Sequence, residues 1–453
     1  MEYLNSLSLD IKEINISCKD LNILPDLSRF TCLQILNCSN NSLIELNNLP
    51  GSLIELYCNH NRITRLNILS HTLRILDCSN NQLIELDNLP TSLLELYCSF
   101  NRLTQLDNLP SSLQKLYCLM NQLTQLDNLP RFLKILNCSF NSIIQLNNLS
   151  SSLHELSCYR NQIIQLDNLP FSLIKLDCSH NQIIQLDNLP FSLKILNCSF
   201  NQITHLNNLP LSLIELYCYH NRLILLDNLP TLQILDCYCN QIIQLDNLPL
   251  SLLKLYCYRN QLTKLDNLPS FLEILNCSWN QLTQLNNLPS SLQILECYMN
   301  QLVQLNNLPS SLQILDCSGN NLMQLDNLPS SLQKLECHHN QITRLNNLPF
   351  YLQELYCSDN QLTQLDNLPF SLQLLDCLNN NMENNDLEYW KEKTKNKKLK
   401  ILKEKVNARK IQKIWRKYWY DFYKYELVDG KYIGFCRFIE KSYFIINENI
   451  LDV

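Results

Sequence analysis

Leucines, a cysteine and an asparagine return through most of this chain at fixed distances from one another. Aligned on the cysteine, the unit reads LxxLxCxxNxLxxLxNLPxS. The column cysteines stand at 20-residue steps from Cys38 to Cys218 and from Cys237 to Cys377, and one 19-residue step joins the two runs. Each is preceded by leucines two and five residues before it and followed by an asparagine three residues after it, from Asn41 to Asn380. In LxxLxC the second leucine and the cysteine lie two apart, so they share one face of a short strand, while residues such as Asp316 and Ser318 take the other. Successive turns then lay these strands side by side, about 4.8 Å apart, in a parallel sheet. The proline of NLP has no amide hydrogen and disfavours a helix there, so the return path is extended or a short 3₁₀ turn. The pattern predicts an α/β-type solenoid, thin and weakly curved, with parallel strands on one face.

The asparagine is polar, yet its column position turns inward. Its amide is expected to bond the backbone of its own and neighbouring turns, because an unpaired buried backbone group costs about 1–3 kcal/mol. The cysteine also faces inward, where a free thiol behaves as a small apolar residue. Two other uses of the column are neighbour-to-neighbour disulfides and storage of a soft metal. In-register parallel strands keep Cβ atoms near 4.8 Å, longer than the ~3.8 Å a disulfide prefers. Zinc sites pair cysteines in motifs such as CxxC, which is absent here. Reduced, buried thiols are therefore expected, with no metal and no cofactor.

This unit resembles the leucine-rich repeat, LxxLxLxxNxL, with cysteine in one leucine slot, over roughly residues 11–383. Its 20-residue length and NLPxSL segment are most similar to the short class found in bacterial effectors, and similar Asn- and Ile-rich arrays occur in proteins of amoeba-infecting giant viruses. Residues 1–32 read as an N-terminal cap and degenerate first repeat, with Ile16 in the cysteine column and Lys19 in the asparagine slot. Residues 33–383 form the array. Residues 384–453 form a tail. Effectors of the similar class often carry a ligase domain after the array, but Cys436 in "GFCRF" lacks an acidic neighbour two places on, and no ligase is read here.

Charge separates the array from the tail. Of 36 basic and 42 acidic residues, 17 and 10 lie after position 385, so the array is acidic and the tail basic. The tail's Leu399, Leu402, Val406, Ile414, Tyr418, Phe422 and Tyr425 recur at helical steps, which predicts a basic amphipathic helix followed by a short β-hairpin around Asp429–Gly430. Within it Ile411, Gln412 and Arg416 resemble the start of an IQ motif, which implies a calmodulin-like partner. Lys417 and Asp421 depart from that motif's second half. The other readings are a helix that caps the solenoid, or one that contacts membrane or nucleic acid. The first residues lack a basic leader and no apolar run reaches the ~18–20 residues of a membrane span, so an intracellular, reducing, cytoplasmic setting is expected, or a virion.

Chemistry has little foothold. Four glycines leave no phosphate loop or dinucleotide turn, and neither HExxH nor Gly-x-Ser-x-Gly occurs. Binding is the alternative, and solenoids bind largely through extended repeat faces. The outward positions hold Tyr, Asp, Asn, Ser, His and Phe. They are densest around Tyr217, Tyr219, His220, Tyr238, Tyr256, Tyr258, Arg259, Trp279 and Tyr298, residue types that dominate binding hot spots. The 19-residue turn falls inside this patch and is expected to kink the array locally. The sequence reads as a non-catalytic scaffold for a protein partner, with a structural or virion-assembly component and a calmodulin-linked regulator as alternatives.

Overall fold

A computed structural model describes residues 4, 6–66, 69–365, 368–369 and 371–382. The predicted amphipathic helix, the hairpin, Cys436 and the IQ-like residues Ile411, Gln412 and Arg416 lie outside the described residues. The chain divides into two units, Met1–Leu312 and Gln313–Val453.

The first unit is a parallel-strand solenoid. Its strands, from Glu13–Asn15 to Ile294–Glu296, are each three residues long and pair in parallel. Register is set by the leucine two before each cysteine, so that Leu196 faces Leu216 and Leu216 faces Leu235. The second unit repeats the plan in the strands from Ile314–Asp316 to Leu374–Asp376.

Three ladders hold each unit together. Leucine and cysteine columns supply the first: Leu193, Leu196 and Cys198 are fully buried, as are their equivalents in turn after turn. A thiol in such a place is small enough to fit beside leucines at strand spacing. Burial pushes Cys38, Cys138, Cys198 and Cys277 up to about 12, so these groups stay protonated and unreactive. Every described cysteine is a free thiol.

The asparagines make the second ladder. Asn201 Nδ2 donates to the carbonyls of Cys178 in the preceding turn (3.0 Å), Cys198 in its own (3.1 Å) and Ser199 (3.1 Å), while its Oδ1 accepts the N–H of Ile183 (2.9 Å). One side chain thus satisfies backbone groups of two turns, as the sequence predicted. The pattern reaches the cap: Asn41 Nδ2 donates to the carbonyl of Ile16, and its Oδ1 accepts from Lys19 and Leu21.

The serine of NLPxS makes the third ladder, on the return side. Ser192 Oγ lies 2.6 Å from the carbonyl of Phe171 and 2.7 Å from that of Leu173, both in the preceding turn. The return itself is extended and closes with a turn in which the Leu193 N–H donates to the Pro190 carbonyl at 3.0 Å. No 3₁₀ segment occurs among the described residues. The first asparagine-leucine of NLP also has a conformational cause: Asn188, Asn208 and their equivalents lie at φ near 55°, a left-handed position that asparagine tolerates better than most residues.

The 19-residue turn loses its residue in the return. There the Leu232 N–H reaches the Pro230 carbonyl at 2.7 Å, one residue nearer than in other turns. Strand pairing on either side keeps its register, Leu216 to Leu235 to Leu255, so the deletion does not disturb the sheet.

Candidate functional site

Three outward columns follow from the strand geometry, and their aromatic-rich stretch around the 19-residue turn lies in the first unit. Tyr217, Asp236 and Tyr256 precede the cysteines and face one another in register. Tyr219, Tyr238 and Tyr258 follow the cysteines. Their rings stack, with centroids 4.4 and 4.3 Å apart and planes within 10°, because strand spacing brings successive rings close to van der Waals distance. Tyr219 and Tyr238 are only 2% and 7% exposed, so they form a floor rather than a contact surface, which composition alone did not reveal. Tyr298 belongs to the same column but is separated from the stack by Ser278.

The third column, two residues after each cysteine, carries His220, Cys239, Arg259 and Trp279. Each has φ near 52°, in the left-handed region where bulky side chains are strained. The backbone is held there because the ladder continues past the strand: the His220 N–H donates to the Tyr238 carbonyl at 3.0 Å and that of Trp279 to Tyr298 at 2.9 Å. The side chains then stack along the edge of the strand face. Phe200 lies between His180 (centroids 3.9 Å) and His220 (4.2 Å), both near parallel. Arg160 covers Phe140 at 4.9 Å and Arg259 covers Trp279 at 5.2 Å, with Trp279 exposed. An open groove of about 490 Å³ runs along this edge, lined by His180, Phe200, His220, Arg222, Cys239 and the column asparagines between them.

The two imidazoles are held neutral. Burial lowers His180 to about 3 and His220 to about 4, and the guanidiniums of Arg160 and Arg259 act in the same direction. In the unfolded chain both would titrate near 6.5. As pH falls below that value the unfolded state takes up protons that the folded state refuses, so stability is lost on going from pH 6.5 toward 4. The melting temperature of the wild-type chain is expected to fall more steeply across that interval than that of a His180→Asn, His220→Asn variant. Parallel slopes would contradict this.

Where a strand opens with Glu and closes with Tyr, the tyrosine hydroxyl donates to the glutamate Oε2: Tyr57 to Glu55 (2.8 Å), Tyr97 to Glu95 (2.8 Å) and Tyr217 to Glu215 (2.9 Å). Asp or Asn at the same strand end instead accepts the N–H two residues on, with serine there in most turns, as in Asp77 to Ser79 and Asp177 to Ser179.

No group of three or more His, Cys, Asp or Glu side chains is placed to hold a metal ion among the described residues, and no helix there is long and apolar enough to cross a membrane.

A short parallel strand, an inward asparagine bonding two turns and an extended return, repeated at 20 residues, define a leucine-rich repeat solenoid. The chain belongs to the leucine-rich repeat proteins. It is similar to YopM from Yersinia enterocolitica WA-314, at 36% identity and a TM-score of 0.75, over 83% of this chain and 88% of that one. It is similar also to YopM of Yersinia pestis, a leucine-rich effector protein, at 26% identity and a TM-score of 0.55, over 78% and 88% of the two chains. The circular leucine-rich repeat protein CroV588 matches at 26% identity and a TM-score of 0.55, over 79% of this chain and 57% of its own. No family model and no curated protein matches the sequence. Solenoids of this kind commonly serve protein–protein interaction.

Proposed function

We propose that this protein is a non-catalytic scaffold that docks a protein partner on the outward strand columns between Tyr217 and Tyr298. The observation that carries the reading is the meeting of two aromatic stacks in neighbouring turns. Tyr219, Tyr238 and Tyr258 form a rigid floor, and Arg259 with exposed Trp279 stands at its rim beside the His180–Phe200–His220 groove. Stacked rings have little rotamer freedom left to lose, which lowers the entropic cost of binding. Tyr, Trp and Arg are also the side chains that most often carry interface energy.

The wild-type chain, immobilised and exposed to lysate of its natural setting, is expected to retain a defined partner. Tyr217→Ser, Tyr238→Ser and Tyr256→Ser together should weaken that capture at least tenfold. Because Tyr238 is buried, a second variant, Arg259→Ala with Trp279→Ala, separates loss of contact from loss of fold. Capture that survives both sets of substitutions would eliminate the patch. An intracellular setting is part of this proposal, since eighteen column thiols are compatible with a reducing compartment.

A further inference from the structure

We propose that an apolar ridge in the first unit, at the corner where the return meets the next strand, is a dimer surface. A second copy of this chain packs on it about a two-fold axis through Thr231. The proposal stands apart from the strand-face reading.

The ridge is built by the residue after the proline of NLP. In the other turns of the first unit that residue is small or polar, as at Thr91, Ser111, Ser151 and Ser290. Around the 19-residue turn it is Phe171, Phe191, Leu211, Thr231 and Leu250, and Phe271 follows in the next turn, one position along. The five large side chains are 65% to 85% exposed. Phe132, at the same corner, instead lies under the guanidinium of Arg131 at 4.6 Å. Phe171 and Phe191 stack on each other with centroids 5.7 Å apart, which makes their open edges continuous.

The backbone beneath is held by the return-side ladder. The Phe171 and Phe191 carbonyls accept the hydroxyls of Ser192 and Ser212 at 2.6 Å, and the Leu211 carbonyl accepts that of Thr231 at 3.5 Å. A ridge fixed in this way has little order left to gain on association. At ~150–250 Å² for a large side chain, the five leave roughly 550–900 Å² open. That is at or beyond the ~300–600 Å² of the largest patch on a typical monomer. It is close to the ~800 Å² that each partner gives to a stable interface.

The order of residues selects the occupant. Phe191, Leu211, Thr231, Leu250 and Phe271 read the same in both directions. A two-fold axis through Thr231, perpendicular to the stack of turns, sets Leu211 against Leu250 of the second copy and Phe191 against its Phe271, and each contact occurs twice. This is the condition of an isologous interface. Only the residue on the axis must face its own copy, and there the chain places the smallest side chain of the ridge. The His220–Trp279 column follows the strands that the ridge precedes, so it stays open in the dimer. Exposed Asp187, Asp227 and Asp246, each four residues ahead of a ridge position, give both copies an acidic border. Salt screens that repulsion and should tighten the dimer.

The test is sedimentation velocity of the full chain over ~0.1–100 µM, a span that separates weak from moderate dimers. The wild-type chain is expected to move from monomer to dimer, at lower concentration when salt is raised. Leu211→Asp with Leu250→Asp should raise the dissociation constant at least tenfold and leave the circular dichroism unchanged, since both side chains are exposed. Leu211→Asp with Leu250→Lys should regain at least tenfold over that variant, because the two-fold axis then pairs opposite charges at both contacts. A wild-type chain that stays monomeric would overturn the proposal, whether its ridge is left bare or taken by phosphatidylcholine vesicles in a flotation assay. So would a dimer indifferent to the double aspartate variant, or an Asp–Lys variant that associates no better than it.

Discussion

Replacing Asn201 with alanine is expected to destabilise the first unit by about 3–5 kcal/mol, read as a lower urea midpoint, since each buried backbone group left without a partner costs about 1–3 kcal/mol. The substitution removes the acceptor for the Ile183 N–H and the donor shared by the carbonyls of Cys178, Cys198 and Ser199. Water can take over these bonds only in part, because Asn201 is 9% exposed while Leu196, Cys198 and Ile203 of the same turn are fully buried. The damage spans two turns, which is why one side chain outweighs an ordinary surface substitution. Each repeat is stabilised chiefly by its immediate neighbours. Far-removed substitutions such as Asn61→Ala and Asn201→Ala should therefore add nearly independently. A cost below about 1 kcal/mol for Asn201→Ala would mean that the ladder is ornamental, since even a typical net hydrogen bond reaches that value.

Cys198→Asp is expected to cost more than about 4 kcal/mol and to leave little folded protein, because a buried unpaired charge is among the few changes with effects of that size. Cys198→Ala should cost only about 1–2 kcal/mol, the removal of one small buried group and a partial collapse of the space. The contrast isolates what the column needs. It requires a small apolar occupant at strand spacing, and sulfur meets that requirement without being used for chemistry. Far-ultraviolet circular dichroism with urea titration of both variants checks the ordering, and a Cys198→Asp chain as stable as Cys198→Ala would contradict it.

Most of the fold was legible in the sequence because its determinants are local and recur. The leucine–cysteine spacing sets the strand face, the asparagine column announces its own bonds, and the single missing residue shows which turn is short. The outward columns were less legible, for definite reasons. The left-handed backbone two residues after each cysteine carries no glycine signature, since His220, Arg259 and Trp279 occupy it, and only Gly319 hints at it. Side-chain stacking between turns depends on the direction a strained backbone gives the ring, which spacing does not encode. The patch from Tyr217 to Tyr298 was found by composition, yet composition treated buried Tyr219 and Tyr238 as equal to exposed Trp279. The expected kink at the 19-residue turn does not appear in the strand register, because the return absorbs the deletion.

Function on this scaffold is thus divided by direction. Inward columns of leucine, cysteine and asparagine make the structure, and on the proposed reading the outward columns of tyrosine, histidine and arginine meet a partner. The most direct test of that division is residue-by-residue thiol alkylation, followed by mass spectrometry, in native buffer, in native buffer with reductant, and in denaturant alone. Exposed Cys18 and Cys32 are expected to label in native buffer, while the buried column from Cys38 to Cys357 labels only on unfolding, with no dependence on reductant or chelator. Column cysteines that label in the native state, or that demand reductant or metal removal before labelling in denaturant, would contradict the account.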